Sequence, residues 1–425
     1  MTMAADKQDK VLNFSSEREQ SGACSSSAEH EKNQGRNFLN VPTLRFPEFT
    51  GEWNCYRLGD LTDLFSVRNK DGKNYPMFSV TNDMGFVPQS EKFEDREMIG
   101  ENINNYKVIR QGDFAYNPAR INVGSIARYQ EDYPCMISSL YVCFKPDEQL
   151  VNSDLLLHIL KSPRLIDKYK LHGEGGVRIY LFYPNFAQIK IWLPRLTEQS
   201  KIAKFLTLIE ERITTQIRII EELKLFRDTL MFKLLSPRKN WEHVCIHDVA
   251  MVVGGGTPDT NVKEYWDGNI QWFTPSEIGK EKYVIASERT ISQAGLDNSS
   301  AKLLPANTIL LSTRATIGEC SIVKQECCTN QGFQSLIATT VTPEFLYYLI
   351  QTKKRDLLSK ASGSTFSEIS ANEVRKIRVC IPTTAKEQEA IVQPLSAYDE
   401  KIETECKILQ LYKRQKQFLL SQMFI

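Results

Sequence analysis

From Leu206 onward, apolar side chains recur at alternating intervals of three and four residues. They are Leu206, Ile209, Ile213, Ile220, Leu223, Leu230 and Leu234, with Gln216 and Arg227 in the two remaining positions. The same spacing returns at Leu395, Tyr398, Ile402, Leu409, Tyr412, Leu419 and Met423, with Glu405 and Lys416 as its polar members. Side chains three and four apart share one helix face, so a 3,4 alternation sustained over about four heptads predicts a coiled-coil seam. An amphipathic helix lying on its own domain would explain one such stripe. It would not explain two that share length, register and interruptions: Gln216 matches Glu405, and Arg227 matches Lys416.

The segments ahead of these helices also repeat. L-P-R-L-T-E-Q-S-K-I-A at 193–203 returns as I-P-T-T-A-K-E-Q-E-A-I at 381–391, so Glu198-Gln199 reappears as Glu387-Gln388. Upstream of each lies a body, 64–192 and 250–380, of short β-rich runs such as Tyr141–Phe144 and Thr308–Leu311, separated by Gly, Asn, Pro and Asp. Helical stretches at 153–169 and 343–360 precede the close of each body, and a Trp anchor opens each, Trp53 and Trp241. The pattern predicts an α/β (α+β) protein built as an internal repeat. The expected parts are a disordered polar lead-in over 1–40, a first domain over 41–196 and a connecting helix over 197–236. A second domain over 237–384 and a closing helix over 385–425 complete the chain.

Connectivity sets the direction of the helices. The first must leave domain one and reach domain two, and the second can only return. They should therefore lie antiparallel, with a domain at each end and a pseudo-two-fold axis between. A helix of about 37 residues spans roughly 55 Å, the length of about 16 base pairs of duplex.

Composition narrows the class. A chain of 425 residues, 41% hydrophobic, can bury two cores. A net charge of +1 argues against a histone-like wrapper but not against a reader with basic side chains on one face. The ten cysteines form no C-x-x-C pair, and no secretory signal or membrane-length apolar run is present, which reads as a reduced cytoplasmic protein without membrane association. Cys320, Cys327, Cys328, His243, Cys245 and His247 lack finger-like ligand spacing, so no metal is expected. Gly254-Gly255-Gly256 lacks the Lys-Ser/Thr of a triphosphate loop. Asn117-Pro118-Ala119-Arg120 lacks the second proline and the aromatic of an adenine methyltransferase loop. With no nucleophile–base set assignable, no catalytic residues are expected.

Two loop pairs echo across the halves. Asn117–Gly124 matches Leu311–Gly318, each with Arg four residues before Gly, and His172–Arg178 matches Ser359–Thr365 in small residues. With these in place, the order of reader, L-P-x-L-x-E-Q-x-K-I-A helix, second reader and E-Q-x-x-I-V helix resembles the specificity subunit of type I restriction–modification systems. Leu44-Arg45-Phe46-Pro47-Glu48-Phe49 with Gly51-Glu52-Trp53 looks like that family's start. Gly254–Pro258 with Glu264-Tyr265-Trp266 and Phe273-Thr274-Pro275-Ser276 looks like the beginning of its second target-recognition domain. The forty-residue lead-in departs from the family's usual short start.

The resemblance implies a non-catalytic reader of double-stranded DNA. Each target-recognition domain would read half of a split sequence, and the coiled coil would set the gap. Two methyltransferase subunits carrying S-adenosylmethionine would dock on the helices, and two restriction subunits would join them. The chain itself needs no cofactor. The alternative is a bivalent scaffold that binds protein without reading DNA. Arg bridges guanine, Asn or Gln bridges adenine, and Ser or Thr serves either. The candidates are therefore Thr81, Asn82, Arg120, Asn122, Arg178 and Tyr180 in domain one. In domain two they are Thr274, Ser276, Thr313, Arg314, Thr316, Ser364 and Thr365. Outer-face residues Phe205, Ile217, Ile219, Leu225, Phe226 and Phe232 leave apolar surface for a partner.

Matching apolar to apolar and polar to polar layers selects a register. It sets Gln216 opposite Lys416 and Arg227 opposite Glu405, the latter as a cross-helix ion pair. Sliding by one seam position would bury unpaired charge.

Overall fold

The two periodic segments fold as helices Leu196–Leu234 and Ala385–Gln422 in a computed structural model, which describes residues 40–70, 72–89, 103–176, 179–361 and 368–425. At 39 residues the connecting helix is roughly 58 Å long. Every seam position named above is buried or half-buried in both helices, as the spacing requires. Partners descend along one helix as they ascend the other, so the pair is antiparallel: Glu210 meets Lys416, Gln216 meets Glu405 and Arg227 meets Asp399.

These partners correct the expected register. Gln216 does not face Lys416, and Arg227 does not pair with Glu405. Instead Gln216 Nε2 donates to the Glu405 carboxylate (2.5 Å) and to its backbone carbonyl (3.2 Å). Arg227 reaches Asp399 at 3.1 Å, and Lys416 pairs with Glu210. Two forces outside the seam decide this. Glu210 and Asp399 sit one position beside the seam and supply the opposite charges, so both cations reach sideways instead of facing a polar layer. The helix ends are also sealed into domain cores. Leu419, Leu420, Met423 and Phe424 join Trp53, Phe114, Phe144, Ile202 and Leu206, while Met231 and Leu235 join Trp241, Phe345, Ile391 and Leu395.

The correct pairs display the repeat directly. Glu210 and Asp399, Gln216 and Glu405, Arg227 and Lys416 are each 189 positions apart (210 to 399, 216 to 405, 227 to 416). Glu210–Lys416 and Asp399–Arg227 are therefore images of one another. Gln216–Glu405 is its own image and marks where the pseudo-two-fold axis crosses the pair.

Each domain hangs on its helix through a two-stranded ribbon. Asn54–Arg57 pairs antiparallel with Lys190–Leu193, and Glu242–Cys245 with Arg378–Ile381. A one-turn helix follows each, Leu58–Leu61 and Ile246–Val249, capped by Asp60 and Asp248 onto the backbone N–H of Arg57 and Cys245. The main sheets have matching order. Domain one runs Thr62–Phe65, Val142–Pro146, Phe114–Tyr116, Ile126–Arg128, and domain two runs Ala250–Gly254, Gln334–Ala338, Ile309–Leu311, Cys320–Val323, then Tyr283–Val284. Domain two adds a second sheet around Trp266–Phe273, whose Trp266 and Trp272 pack edge to face at 5.1 Å.

The Glu-Gln motif now has a physical role. Glu198, 2% exposed, accepts from Arg45 Nε and Nη2 at 2.7 Å each, and Glu387 accepts from Trp241 Nε1 at 2.9 Å. Gln199 Oε1 accepts from the Asn152 N–H at 2.8 Å, at the start of helix Ser153–Leu160. Gln388 Oε1 accepts from the Thr342 N–H at 3.0 Å, at the start of helix Pro343–Thr352. Each Gln thus ties a domain helix to a long helix by satisfying a donor at its N-terminus.

Candidate nucleic-acid interface

In domain one the echoing loops converge. The hairpin Phe78–Val80/Phe86–Pro88 turns at Thr81, whose N–H and hydroxyl both donate to Gly85 O (2.7 and 3.2 Å), leaving Asn82 exposed at the tip. A Cβ on Gly124, which sits at φ +90°, would lie 3.9 Å from Asn82 Cβ, so this tip adjoins the 117–124 loop. There the Arg120 carbonyl accepts from Val123 and Ser125 N–H, and its side chain projects exposed from a short 3₁₀ turn with Asn122 half-buried beside it. On the far side, Leu181 N–H donates to Pro118 O at 3.0 Å. This docks the Glu174/Tyr180 bridge, whose Tyr180 stacks on Phe182 (6.2 Å, 11°) with both rings exposed. Thr81, Asn82, Arg120, Asn122 and Tyr180 are therefore neighbours, while Arg178 lies outside the described residues.

Domain two builds a comparable surface by different contacts. Thr274 is half-buried, and its hydroxyl serves its own turn, donating to Glu277 (2.6 Å) beside Ser276, which is exposed. Asn330 N–H donates to Phe273 O at 3.1 Å, and Gly332 packs against Pro275, which joins this turn to 330–332. Thr313 N–H and Oγ1 both donate to Gly332 O (2.8 and 3.1 Å). Thr313 is 0% exposed, which corrects its expected place on the surface: its hydroxyl is spent holding two loops together. Arg314 and Thr316 remain outward. Between them Ala315 takes φ +56°, and the Thr316 N–H closes back on Arg314 O at 2.5 Å. Arg314 Nη2 meets Glu368 Oε2 at 2.9 Å. Ser364 and Thr365 lie outside the described residues.

Sequence reasoning missed Glu368, Asn330 and Gln331. The Asn330-Gln331-Gly332 turn was a readable signal, and Gln331 contacts Thr257. An acid beside a candidate DNA surface carries no such signal.

Charge where each domain meets the helix pair is arranged alike at both ends. Burial alone would raise Glu210, but His158 at 3.4 Å and Lys416 outweigh it and hold the carboxyl down at about 2. Asp399 accepts from Tyr348 Oη at 2.5 Å as well as from Arg227. Burial of Lys282 disfavours its charge, while Asp399 and Glu344 oppose that effect. Burial also pushes the thiols of Cys135 and Cys143 up to about 12 and that of Cys328 to about 11, which keeps them protonated at neutral pH. Of the cysteines and histidines considered as ligands, Cys245 and His247 come together with Asp248. Asp248 has a structural duty there, capping the one-turn helix as Asp60 does. Among the described residues, no helix is long and apolar enough to cross a membrane.

A family model described as the type I restriction modification DNA specificity domain matches residues 50–225 and again 238–413. The type I restriction enzyme MjaIX specificity subunit of Methanocaldococcus jannaschii is 38% identical over 174 residues, 40% of this chain and 40% of that one. The EcoR124I/EcoR124II specificity subunit of Escherichia coli is 27% identical over 235 residues, 51% of this chain and 57% of its own length. These two matches thus span less than two thirds of either relative. The putative MjaX specificity subunit of M. jannaschii aligns more fully, 22% identical over 91% of this chain and 95% of that one. Among solved structures, a chain from work on complex assembly and conformational transition of the type I R-M system superposes with TM-score 0.58. It is 17% identical and covers 87% of this chain and 97% of that one. The type I S subunit from M. genitalium gives 0.55 at 14% identity, with 91% and 99% covered. At these identities the structural likeness establishes a shared fold.

Proposed function

This chain belongs to the type I restriction modification DNA specificity family, and from that premise we propose that it is the non-catalytic, DNA-reading subunit of such a system. Each domain reads one half of a split duplex sequence, and the helix pair sets the distance between the halves. The observation that carries this is the dyad at Gln216–Glu405, with a cluster of outward polar loops in each domain. A two-fold arrangement of readers fits duplex DNA, whose strands are themselves related by two-fold axes.

In domain one, Asn82, Arg120, Asn122 and Tyr180 are the exposed or half-exposed members facing DNA, and in domain two Ser276, Arg314 and Thr316 are. Thr81 and Thr274 shape the turns that present them. The exposed apolar residues of the helix pair support docking of methyltransferase subunits on the helices. Leu225 is 70% exposed, Phe226 55%, Phe232 56% and Leu411 60%, more than a free two-stranded coil leaves bare. Phe205 is not among them, because it packs edge to face on Phe46 at 5.7 Å. Methyl transfer from S-adenosylmethionine would then reside in those partners and cleavage in two restriction subunits, all within the cytoplasm.

The test is to map methylated adenines in cells carrying this chain and its cognate methyltransferase. A split motif is expected, and Arg120→Ala should degrade only one half of it. Exchange of residues 250–380 for a relative's should change only the other half. A continuous motif, or one whose halves change together, would refute the reading. The protein-scaffold alternative separates by salt, since affinity through phosphates falls steeply between about 50 and 200 mM.

A further inference from the structure

Arg120 and Arg314 occupy matching places in the two reader loops, yet only Arg314 has an ion-pair partner among the described residues. Its guanidinium meets Glu368 at 2.9 Å, and the two residues also form an antiparallel backbone bridge. The rest of the loop is fastened around it. Arg314 O accepts from Ser312 Oγ (2.8 Å) and Thr316 N–H (2.5 Å), and Ile369 N–H donates to Thr313 O (3.2 Å). Ala315 is held at φ +56°, a conformation that L-residues with a Cβ adopt at a cost.

An ion pair this exposed, 42% for Arg314 and 39% for Glu368, contributes little to stability. A carboxylate on a DNA-facing surface also repels phosphate, so the pair makes Arg314 a poor phosphate clamp. What it does supply is orientation. Nη2 is held beside Glu368, and no donor of the guanidinium is hydrogen-bonded among the described residues, which leaves a fork that matches guanine O6 and N7.

We propose that Glu368 is a positioning residue for Arg314, and that the second half-site contains a guanine which Arg314 reads. The proposal rests on the DNA-reading function given above and adds to it a residue and a base. Arg120, without such a partner among the described residues, is left to adapt to its own half-site.

The experiment co-expresses the full chain with its cognate methyltransferase subunits and maps methylated adenines for wild type, Arg314→Lys, Glu368→Ala and Glu368→Gln. Wild type should show a guanine in the second half-site. Arg314→Lys keeps the charge but loses the fork, and Glu368→Ala frees the fork. Both should relax that one position, with discrimination falling roughly tenfold or more, while the first half-site is unchanged. Glu368→Gln, which keeps an oxygen beside the guanidinium, should keep most of the discrimination. The proposal is overturned if the second half-site has no guanine, or if Glu368→Ala leaves the motif intact. It is equally overturned if Glu368→Ala relaxes a cytosine elsewhere in the motif, which would make Glu368 itself the reader. Uniform weakening of all sites, or loss of methylation in both Glu368 variants, counts against it too. If wild type itself yields no split motif, the DNA-reading function fails, a result distinct from any change confined to the variants.

Discussion

Replacing Gln199 by Ala tests how the domains are fastened to the helix pair. Gln199 is 1% exposed and makes three hydrogen bonds. Its Oε1 accepts from Asn152 N–H at 2.8 Å, and its Nε2 donates to Leu150 O at 3.0 Å and Pro194 O at 2.9 Å. Truncation leaves one backbone donor and two carbonyls short of a partner. An orphaned buried group costs about 1–3 kcal/mol, with carbonyls toward the low end because they keep a second lone pair. The sum is about 2–4 kcal/mol. Gln388, its repeat partner, has a single such bond among the described residues, to Thr342 N–H at 3.0 Å, so its loss should cost about 1–2 kcal/mol. For a domain of this size about 1 kcal/mol moves Tm by roughly 2–4 °C. Gln199→Ala should therefore lower the first thermal transition by roughly 5–15 °C, and Gln388→Ala by clearly less. Scanning fluorimetry measures both, and hydrogen exchange at the Asn152 amide reports the lost bond directly. If Gln388→Ala destabilises as much as Gln199→Ala, counting satisfied partners is the wrong account of this motif.

Three further outcomes follow from the same contacts. Glu210 is held at about 2, below its ordinary 4.5, so its contribution is full above pH 4.5 and fades as pH falls toward 2. Being 41% exposed, it is worth no more than about 1 kcal/mol after screening, and urea unfolding of Glu210→Gln and wild type should converge as pH drops; a gap that widens in acid would contradict the ion pair. Tyr348→Phe removes the hydroxyl that donates to Asp399 and touches Lys282 at 2.9 Å. It should cost about 1–2 kcal/mol of domain-two stability by equilibrium unfolding, whereas an unchanged midpoint would show that the carboxylate is satisfied without it. Gly256→Ala would set a Cβ 2.3 Å from Ser300 Oγ and 2.4 Å from Ala301 N. The strain, about 1–3 kcal/mol, should spoil recognition of the second half-site and spare the first, which methylation mapping would show.

The periodic and repeated features were legible in the chain because they are properties of single segments. A 3,4 spacing defines a face wherever the helix goes, and each seam position is indeed turned inward. The paired Glu-Gln motifs, the Trp anchors and the Arg-to-Gly loops likewise announced two copies of one unit. Register was not legible, because it is a relation between two helices. It was decided by Glu210 and Asp399 beside the seam, and by Leu419, Met423 and Met231 locked into cores that no spacing reveals. The reader loops divide the same way. The sequence marks Arg314 and Thr313 as neighbours of one kind, and only packing separates the exposed guanidinium from the buried hydroxyl. Glu368 lies far along the chain from Arg314 and carries the same charge as DNA phosphate, so only the antiparallel bridge between them puts it in the site. Local period follows from covalent geometry, while partnership depends on which distant surfaces the fold presses together.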